Sequence, residues 1–262
     1  MLTTILGIDH AMIVVRDLDA AAADWAAAGF TLSPRGLHSE AMGSANYTIM
    51  LGEDYIELLG VVAPTPRNEN VRNFLEGREG FARTAFTTSD AAAGVAALRV
   101  RGIEPVGPMD FARPVPLPGG AMTEARFSIF QWPETLAPGA MRIFACQHHT
   151  RDAVWIADLQ RHANGAAAIR RTLVATLEPE TAAAEMAALI ESTVEEVGAI
   201  FLVPTGPNRA DFAFATRDDL AAAYSLDAAS LPESGGAGLV LASAEVRAPV
   251  MVTGCALVFE PL

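Results

Sequence analysis

The strongest constraint on this chain is a repeat of punctuation. Residues 17–30, DLDAAAADWAAAGF, and 89–103, SDAAAGVAALRVRGI, share one layout: a capping acid or hydroxyl, an alanine-rich helix, an exit glycine and an apolar residue. Asp17 or Asp19, and Ser89 or Asp90, can accept the free amide hydrogens of a first helical turn, and Gly29 and Gly102 suit the positive φ that ends one. Each helix follows an apolar strand, Gly7–Val15 (GIDHAMIVV) in one case and Phe81–Thr88 (FARTAFTT) in the other. A period of roughly 70 residues is the sign of a duplicated supersecondary unit.

The first copy continues with a strand starting at Phe30-Thr31-Leu32, a polar stretch Arg35–Ser44, a strand Ala45–Leu51, the turn Gly52-Glu53-Asp54 and a strand Tyr55–Val62. The unit reads βαβββ. Pro64-Thr65-Pro66 interrupts it and Asn70–Gly77 reads as a connecting helix. In the second copy a proline-rich loop, Pro105–Gly120, is expected in place of the compact second strand, followed by strands Glu124–Gln131 and Arg142–His148. The spacing predicts a paired domain over 5–150 (modules 5–63 and 80–150), a linker over 151–167 and a looser third module over 168–262. In that module Ala168–Leu177 is a strand, Pro179 opens a helix to about Glu191, and strands fall near Ala199–Val203, Ala210–Ala215, Gly238–Val246 and Val250–Phe259. Asp218–Leu231 fits helix or loop. The third module carries few catalytic side chains and reads as structural or dimer-forming.

Composition removes several function classes. All 18 basic residues are arginine, there is no lysine, and the formal net charge is −13. Such a surface repels phosphate backbones and anionic lipid, so neither nucleic acid nor membrane is an expected partner. Without lysine there is no Schiff base and no Walker-type phosphate loop. Cys146 and Cys255 make no metal or redox pair by spacing and are expected as buried thiols. The N-terminus has no basic segment or cleavage pattern of a secretory signal, which predicts a cytoplasmic protein.

Alternation along the strands selects the candidate site. His10, Met12 and Val14 share one face of the first strand, with Asp9, Ala11 and Ile13 expected on the other; Tyr55, Glu57 and Leu59 share a face of the fourth. A carboxylate inside an apolar strand is costly to bury alone, so Glu57 needs a cation, a proton or a fixed donor. His10 and Glu57 begin a divalent-metal site, and His148, alternating with Arg142, Phe144 and Cys146, is the expected third ligand. Counting back from the two helix caps, the counterpart of His10 is Arg83, which cannot ligate a metal. That leaves either a three-ligand site or no metal, with Arg83 pairing Glu57 or a substrate carboxylate. Asn46 could donate to a substrate or complete a turn. Tyr55 and Trp155 read as cavity walls, His38 and Glu40 as solvated, and His162-Ala163-Asn164-Gly165 as a turn.

The segments GIDHAMIVVRDLDAAAADWAAAGF, HSEAMGSANYTIML, DYIELLGV and FACQHHTRDAVW…HANGA, in that order over residues 5–170, together resemble the glyoxalase-like branch of the vicinal oxygen chelate superfamily. The resemblance implies an α+β fold in which paired βαβββ modules form cupped mixed sheets around a cavity. It implies a divalent metal (Mn, Fe, Ni or Zn) held from the first and last strands of each module, with His10 and Glu57 in ligand positions, and it places Phe111-Ala112-Arg113 on a lid, with Arg113 as an anion or carbonyl clamp. It also implies a small oxygen-rich substrate and a homodimer. The readings that follow are a lyase, isomerase or ring-cleaving dioxygenase-like enzyme with a metal, the same chemistry performed directly by Glu57 and His10, or a metal-free binding or resistance protein.

Overall fold

A computed structural model describes residues 2–116 and 121–262 of the chain; residues 117–120 of the expected proline-rich loop lie outside them. The first copy forms β1 (Ile5–Val15), α1 (Leu18–Ala27), β2 (Gly36–Leu37), β3 (Ser44–Met50) and β4 (Tyr55–Val61). After α2 (Glu69–Gly77), the second forms β5 (Gly80–Thr88), α3 (Ala91–Val100), β6 (Val106–Pro116), β7 (Met122–Gln131) and β8 (Arg142–His148). Both helices are capped as read: the Asp17 carboxylate accepts from the amides of Asp19 and Ala20, and that of Asp90 from the amide of Ala93. The fold is α+β, with repeated βαβββ modules and a cupped mixed sheet.

Two local expectations change. Phe30–Leu32 forms no strand, and β2 is only two residues long. Pro34 has no N–H for a ladder, and the Ser33 hydroxyl substitutes by accepting from the Thr48 amide. Conversely, the supposed loop at 105–120 is largely β6, an eleven-residue strand paired antiparallel with β7. Its prolines are tolerated because β6 is an edge strand, whose outward N–H groups have no ladder to complete.

The eight strands run β2-β3-β4-β1-β5-β8-β7-β6. Within each module the first and last strands are parallel, β1 with β4 and β5 with β8, and the modules join through antiparallel β1 and β5. The edge strands β2 and β6 lie against each other, so the sheet curls into a nearly closed cup. Met12 pairs with both Glu57 and Arg83, placing it at the centre of the concave wall.

The C-terminal region repeats this plan. β9 (Ala166–Ala175), α4 (Pro179–Ile190), β10 (Glu195–Val197), β11 (Ile200–Val203) and β12 (Asp211–Ala215) are the third βαβββ unit. After α5 (Arg217–Tyr224), the strands β13 (Gly235–Ser243), β14 (Val250–Val252) and β15 (Cys255–Pro261) form a fourth unit without helix. The order β10-β11-β12-β9-β13-β15-β14 and the parallel pairs β9/β12 and β13/β15 match the first sheet. The ambiguous 218–231 segment is thus the connection between two modules. Leu220, Ala221 and Leu231 from it pack on Leu173, Ala213, Val240 and Val258, so the second cup is filled by its own chain.

The convex faces of the sheets share one core with α1, α3 and α4, in which Trp25, Phe86, Phe130, Phe212 and Phe214 are fully buried. Gly236 is needed there, because a Cβ would fall 2.5 Å from the Phe81 carbonyl oxygen. Among the described residues no helix is long and apolar enough to cross a membrane.

Asp54, in the turn before β4, accepts from the Ile169 amide of β9 at 3.1 and 3.2 Å and ties the two sheets together. Burial pushes its carboxyl up to about 7, and the charges of Asp9 and Glu53 add to this against the Ile169 hydrogen bond and Arg209. The folded state therefore holds a proton that the unfolded chain releases near the ordinary value of 3.8. Stability is full below that value and is lost as pH climbs through about 7. Asp54→Asn keeps an acceptor for Ile169 and removes the titration. Thermal melts from pH 5 to 8 are expected to fall for the wild type by the equivalent of a few kcal/mol and to stay flat for the variant; parallel slopes would refute this.

Candidate functional site

The first cup encloses a cavity of about 140 Å³ lined from β1, β3, β4, β5, β6, β7 and β8. Its polar centre is built around a bulge. Ile8 pairs with Phe86 and His10 with Ala85, so β1 spends one more residue than β5, and that residue is Asp9. The extra residue breaks the alternation that assigned Asp9 to the opposite face. Instead Asp9, with no exposed surface, joins His10 and His148 in one cluster.

The hydrogen bonds run outward from this carboxylate. Thr87 donates its hydroxyl to Oδ1 at 2.8 Å, His10 Nδ1 lies 2.7 Å from Oδ2, and His148 Nε2 lies 3.1 and 3.0 Å from the two oxygens. Burial raises the Asp9 carboxyl, but the charges of His148 and His10 and their hydrogen bonds outweigh it and hold the group well below the carboxylate range. An ionised Asp9 has no proton to give, so the proton on that bond belongs to His10 Nδ1.

The other nitrogen, His10 Nε2, is 3.6 Å from Glu57 Oε2. Asn46 Nδ2 donates to the second oxygen, Oε1, at 2.6 Å. With Nδ1–H committed to Asp9, neutral His10 turns a lone pair toward an anionic oxygen. The two atoms face each other across 3.6 Å, a gap in which a hydrogen of a bound molecule can be met from both sides. Tyr55 stacks on the imidazole with ring centres 4.3 Å apart, and Phe144 meets it edge-on at 5.3 Å. The expected neighbours His10, Glu57, Asn46 and Tyr55 are therefore brought together.

The remaining expected residues divide. Phe111 and Arg113 line the cavity from β6 and not from a lid, with Phe111 stacked on Phe127. Arg83 reaches the cavity from β5, but among the described residues no carboxylate lies within salt-bridge distance of it, and its neighbour Glu134 is held by Arg142 at 2.8 Å. Burial lowers the Arg83 guanidinium to about 10, with Arg142 adding to the effect and Glu134 and Glu57 opposing it. His38, read as solvated, lines the cavity with Nδ1 2.7 Å from the Ser44 hydroxyl, and burial lowers its pKa. No periodicity marks a residue in an irregular segment, whereas the DH dipeptide inside an apolar strand was a visible signal for Asp9. Trp155 packs edge-on against His148 and Tyr55 and donates to the Gly52 carbonyl. His162 accepts from the Thr31 amide and donates to the Met50 carbonyl, a structural clamp.

The expected metal set of His10, Glu57 and His148 is not the set the structure gathers. His148 turns to Asp9, and among the described residues the clustered donor atoms are those of Asp9, Cys146 and His148, within 4.8 Å of one another. Strand register gives the reason within the cup. His10 pairs with Tyr55 and Arg83 with Arg142, so the counterparts of His10 and Glu57 in the second module are Arg83 and Phe144. A cation and a phenyl ring occupy two of four wall positions, and a chelated divalent ion at His10 and Glu57 does not fit them. Burial raises the Cys146 thiol well above its ordinary value, with Asp9 and Glu57 adding to the shift, so it is no ready thiolate.

Comparison with known proteins agrees with this architecture. The family described as glyoxalase-like domain matches residues 8–190. A hypothetical protein from Staphylococcus aureus superposes over 97% of this chain and 99% of its own, with 15% identity and a TM-score of 0.75. Methylmalonyl-CoA epimerase from Mycobacterium tuberculosis matches 55% of this chain and 90% of its own, with 20% identity and a TM-score of 0.42. A Streptomyces coelicolor methylmalonyl-CoA epimerase variant with bound 2-nitronate-propionyl-CoA matches 56% and 99%, with 20% identity and a TM-score of 0.44. No curated protein matches the sequence.

The cluster predicts opposite costs for its two carboxylates. Asp9→Ala leaves two buried imidazoles without their acceptor and is expected to lower unfolding free energy by about 3–5 kcal/mol. Glu57→Gln retains an acceptor for Asn46 and offers an N–H to His10 Nε2, so it should stay within about 1 kcal/mol of wild type. Urea denaturation of both variants measures the contrast, and equal losses would contradict Asp9 as the hub.

Proposed function

Because the chain belongs to the glyoxalase-like domain family, within the vicinal oxygen chelate superfamily, we propose that it is an enzyme that moves a proton on a small oxygen-rich molecule held in the first cup. Glu57 is the base and His10 its acid partner. The observation that carries this reading is the facing of His10 Nε2 and Glu57 Oε2 at 3.6 Å, with Asp9 and Asn46 fixing the far side of each group.

In the proposed step the Glu57 carboxylate takes a proton from a carbon next to a carbonyl. Negative charge then develops on the carbonyl oxygen, where the cationic form of His10 and the Arg83 guanidinium stabilise it. Asp9 keeps the imidazole in one tautomer and offsets its charge. Return of the proton from Glu57 to the neighbouring carbon on the same face makes the outcome isomerase-like, and departure of a group from that carbon with the Glu57 proton makes it lyase-like. The apolar walls Met12, Phe127 and Phe144 limit water at the reacting carbon. Residues 5–150 are then the catalytic unit and 168–262 a structural one.

A second reading involves a divalent ion at Asp9, Cys146 and His148, and the proximity of their donor atoms favours it. Elemental analysis of untagged protein decides between them: stoichiometric Mn, Fe, Ni or Zn that disappears in Cys146→Ser and His148→Ala supports the ion.

The acid–base reading is tested by solvent exchange. Small carboxylic acids with an acidic C–H are incubated with the protein in D2O and followed by NMR. Wild type is expected to catalyse loss of the C–H signal of at least one compound that it binds, and Glu57→Gln to slow this by about 10²–10⁴-fold. Compounds that bind wild type without exchange would mark a binding or resistance protein instead.

A further inference from the structure

The cup contains a charge imbalance that the acid–base step leaves unexplained. Its carboxylates are already provided for: Asp9 by two imidazoles and a hydroxyl, and Glu57 by His10 and Asn46. Its two inner guanidiniums are not, while a third, Arg67, is exposed. Arg83 is half-buried, its pKa is lowered by that burial and by Arg142, and among the described residues it has no carboxylate within salt-bridge distance. Arg113 likewise has no ion-pair partner among the described residues. The strand carrying it, β6, lies against β2, and Gly36 of β2 makes room for it, since a Cβ there would sit 3.1 Å from Arg113 Nη1. His38 lies beside Arg113, and burial first, then the Arg113 charge, keep that imidazole toward its neutral form. Of these two groups, Arg113 is therefore the one that carries charge.

The two arginines also stand on strands well apart around the sheet. Around the nearly closed sheet, β5 is three strands from β6 in one direction and five in the other. Arg83 and Arg113 thus approach the cavity from opposite walls, with Glu57 on β4 and His10 on β1 in the arc between. A desolvated guanidinium needs an anion with which it can form a two-point hydrogen bond, and a carboxylate has that shape.

Resting on the acid–base reading of this same cup, we propose that the ligand is a small dicarboxylate, one carboxylate on Arg83 and the other on Arg113, with the reacting carbon between them facing Glu57. Size points the same way. The cavity of about 140 Å³ lies below the ~300–1,000 Å³ typical of pockets that enclose drug-sized ligands, so a short-chain acid fits inside it.

Isothermal titration calorimetry on the full chain tests this without needing turnover. The probes are linear dicarboxylates of three to five carbons, the matching monocarboxylates and inorganic phosphate. At least one dicarboxylate is expected to bind about tenfold or more tightly than its monocarboxylate and than phosphate. Arg83→Gln and Arg113→Gln, each checked for a native circular dichroism spectrum, are expected to bring that dicarboxylate down to the affinity of the monocarboxylate. Equal wild-type affinities for mono- and dicarboxylates, phosphate binding as tightly, or an unchanged dissociation constant in Arg113→Gln would each overturn the proposal. Arginine-dependent dicarboxylate binding without deuterium exchange would leave it standing and remove the acid–base reading; exchange on a monocarboxylate that ignores Arg113 would do the reverse.

Discussion

A buried carboxylate must be surrounded by donors before anything else in its neighbourhood can be arranged, and Asp9 shows how far that requirement reaches. Its three donors come from the next residue, from β5 and from β8, so satisfying one side chain brings both modules of the first sheet into register. The bulge that admits Asp9 to the cup also sets the roll of β1 at His10. The direction in which His10 presents Nε2, and hence its meeting with Glu57, follows from a residue that itself lies behind the imidazole.

The second sheet clarifies what the first is for. Apart from β6, which has no counterpart among the described residues of the second sheet, both have the same strand order and the same parallel and antiparallel pairs, yet only one is hollow. Where β1 and β4 present His10 and Glu57, the matching positions of β9 and β12, by pairing and by distance from the helix cap, are Arg171 and Ala213. Arg171 is paired with Glu260 at 3.0 Å. The same backbone plan thus serves once as a container and once as a solid support, and the difference lies in the segment that follows the third module, α5, which turns back into the cup.

Much of this was legible in the chain. Helix caps at Asp17 and Asp90, exit glycines and apolar strands are local signals, and they located the first two modules. The costly carboxylate in an apolar strand pointed to Glu57, and the cap-to-cap count placed Arg83 opposite the expected ligand. What could not be read was anything decided by pairing across the sheet. Strict alternation put Asp9 on the wrong face because a bulge exists only relative to a partner strand. Prolines argued against β6 because a sequence does not say which strand will be an edge. His148 looked like a ligand for the Glu57 pair because its strand and face were right, while its actual partner depended on that same bulge.

The meeting of β2 and β6 gives the first cup a particular mechanical character. Every other neighbouring pair in the sheet is joined by a ladder of backbone hydrogen bonds, whereas these two edges meet without one, and β2 contributes only Gly36 and Leu37. A vessel stitched everywhere except along one line opens along that line at the least cost. Arg113 stands on one lip of it and Asn46, through its strand partner Gly36, on the other. An anion held by Arg113 in the proposed manner therefore pulls on the one lip of the sheet that no ladder holds.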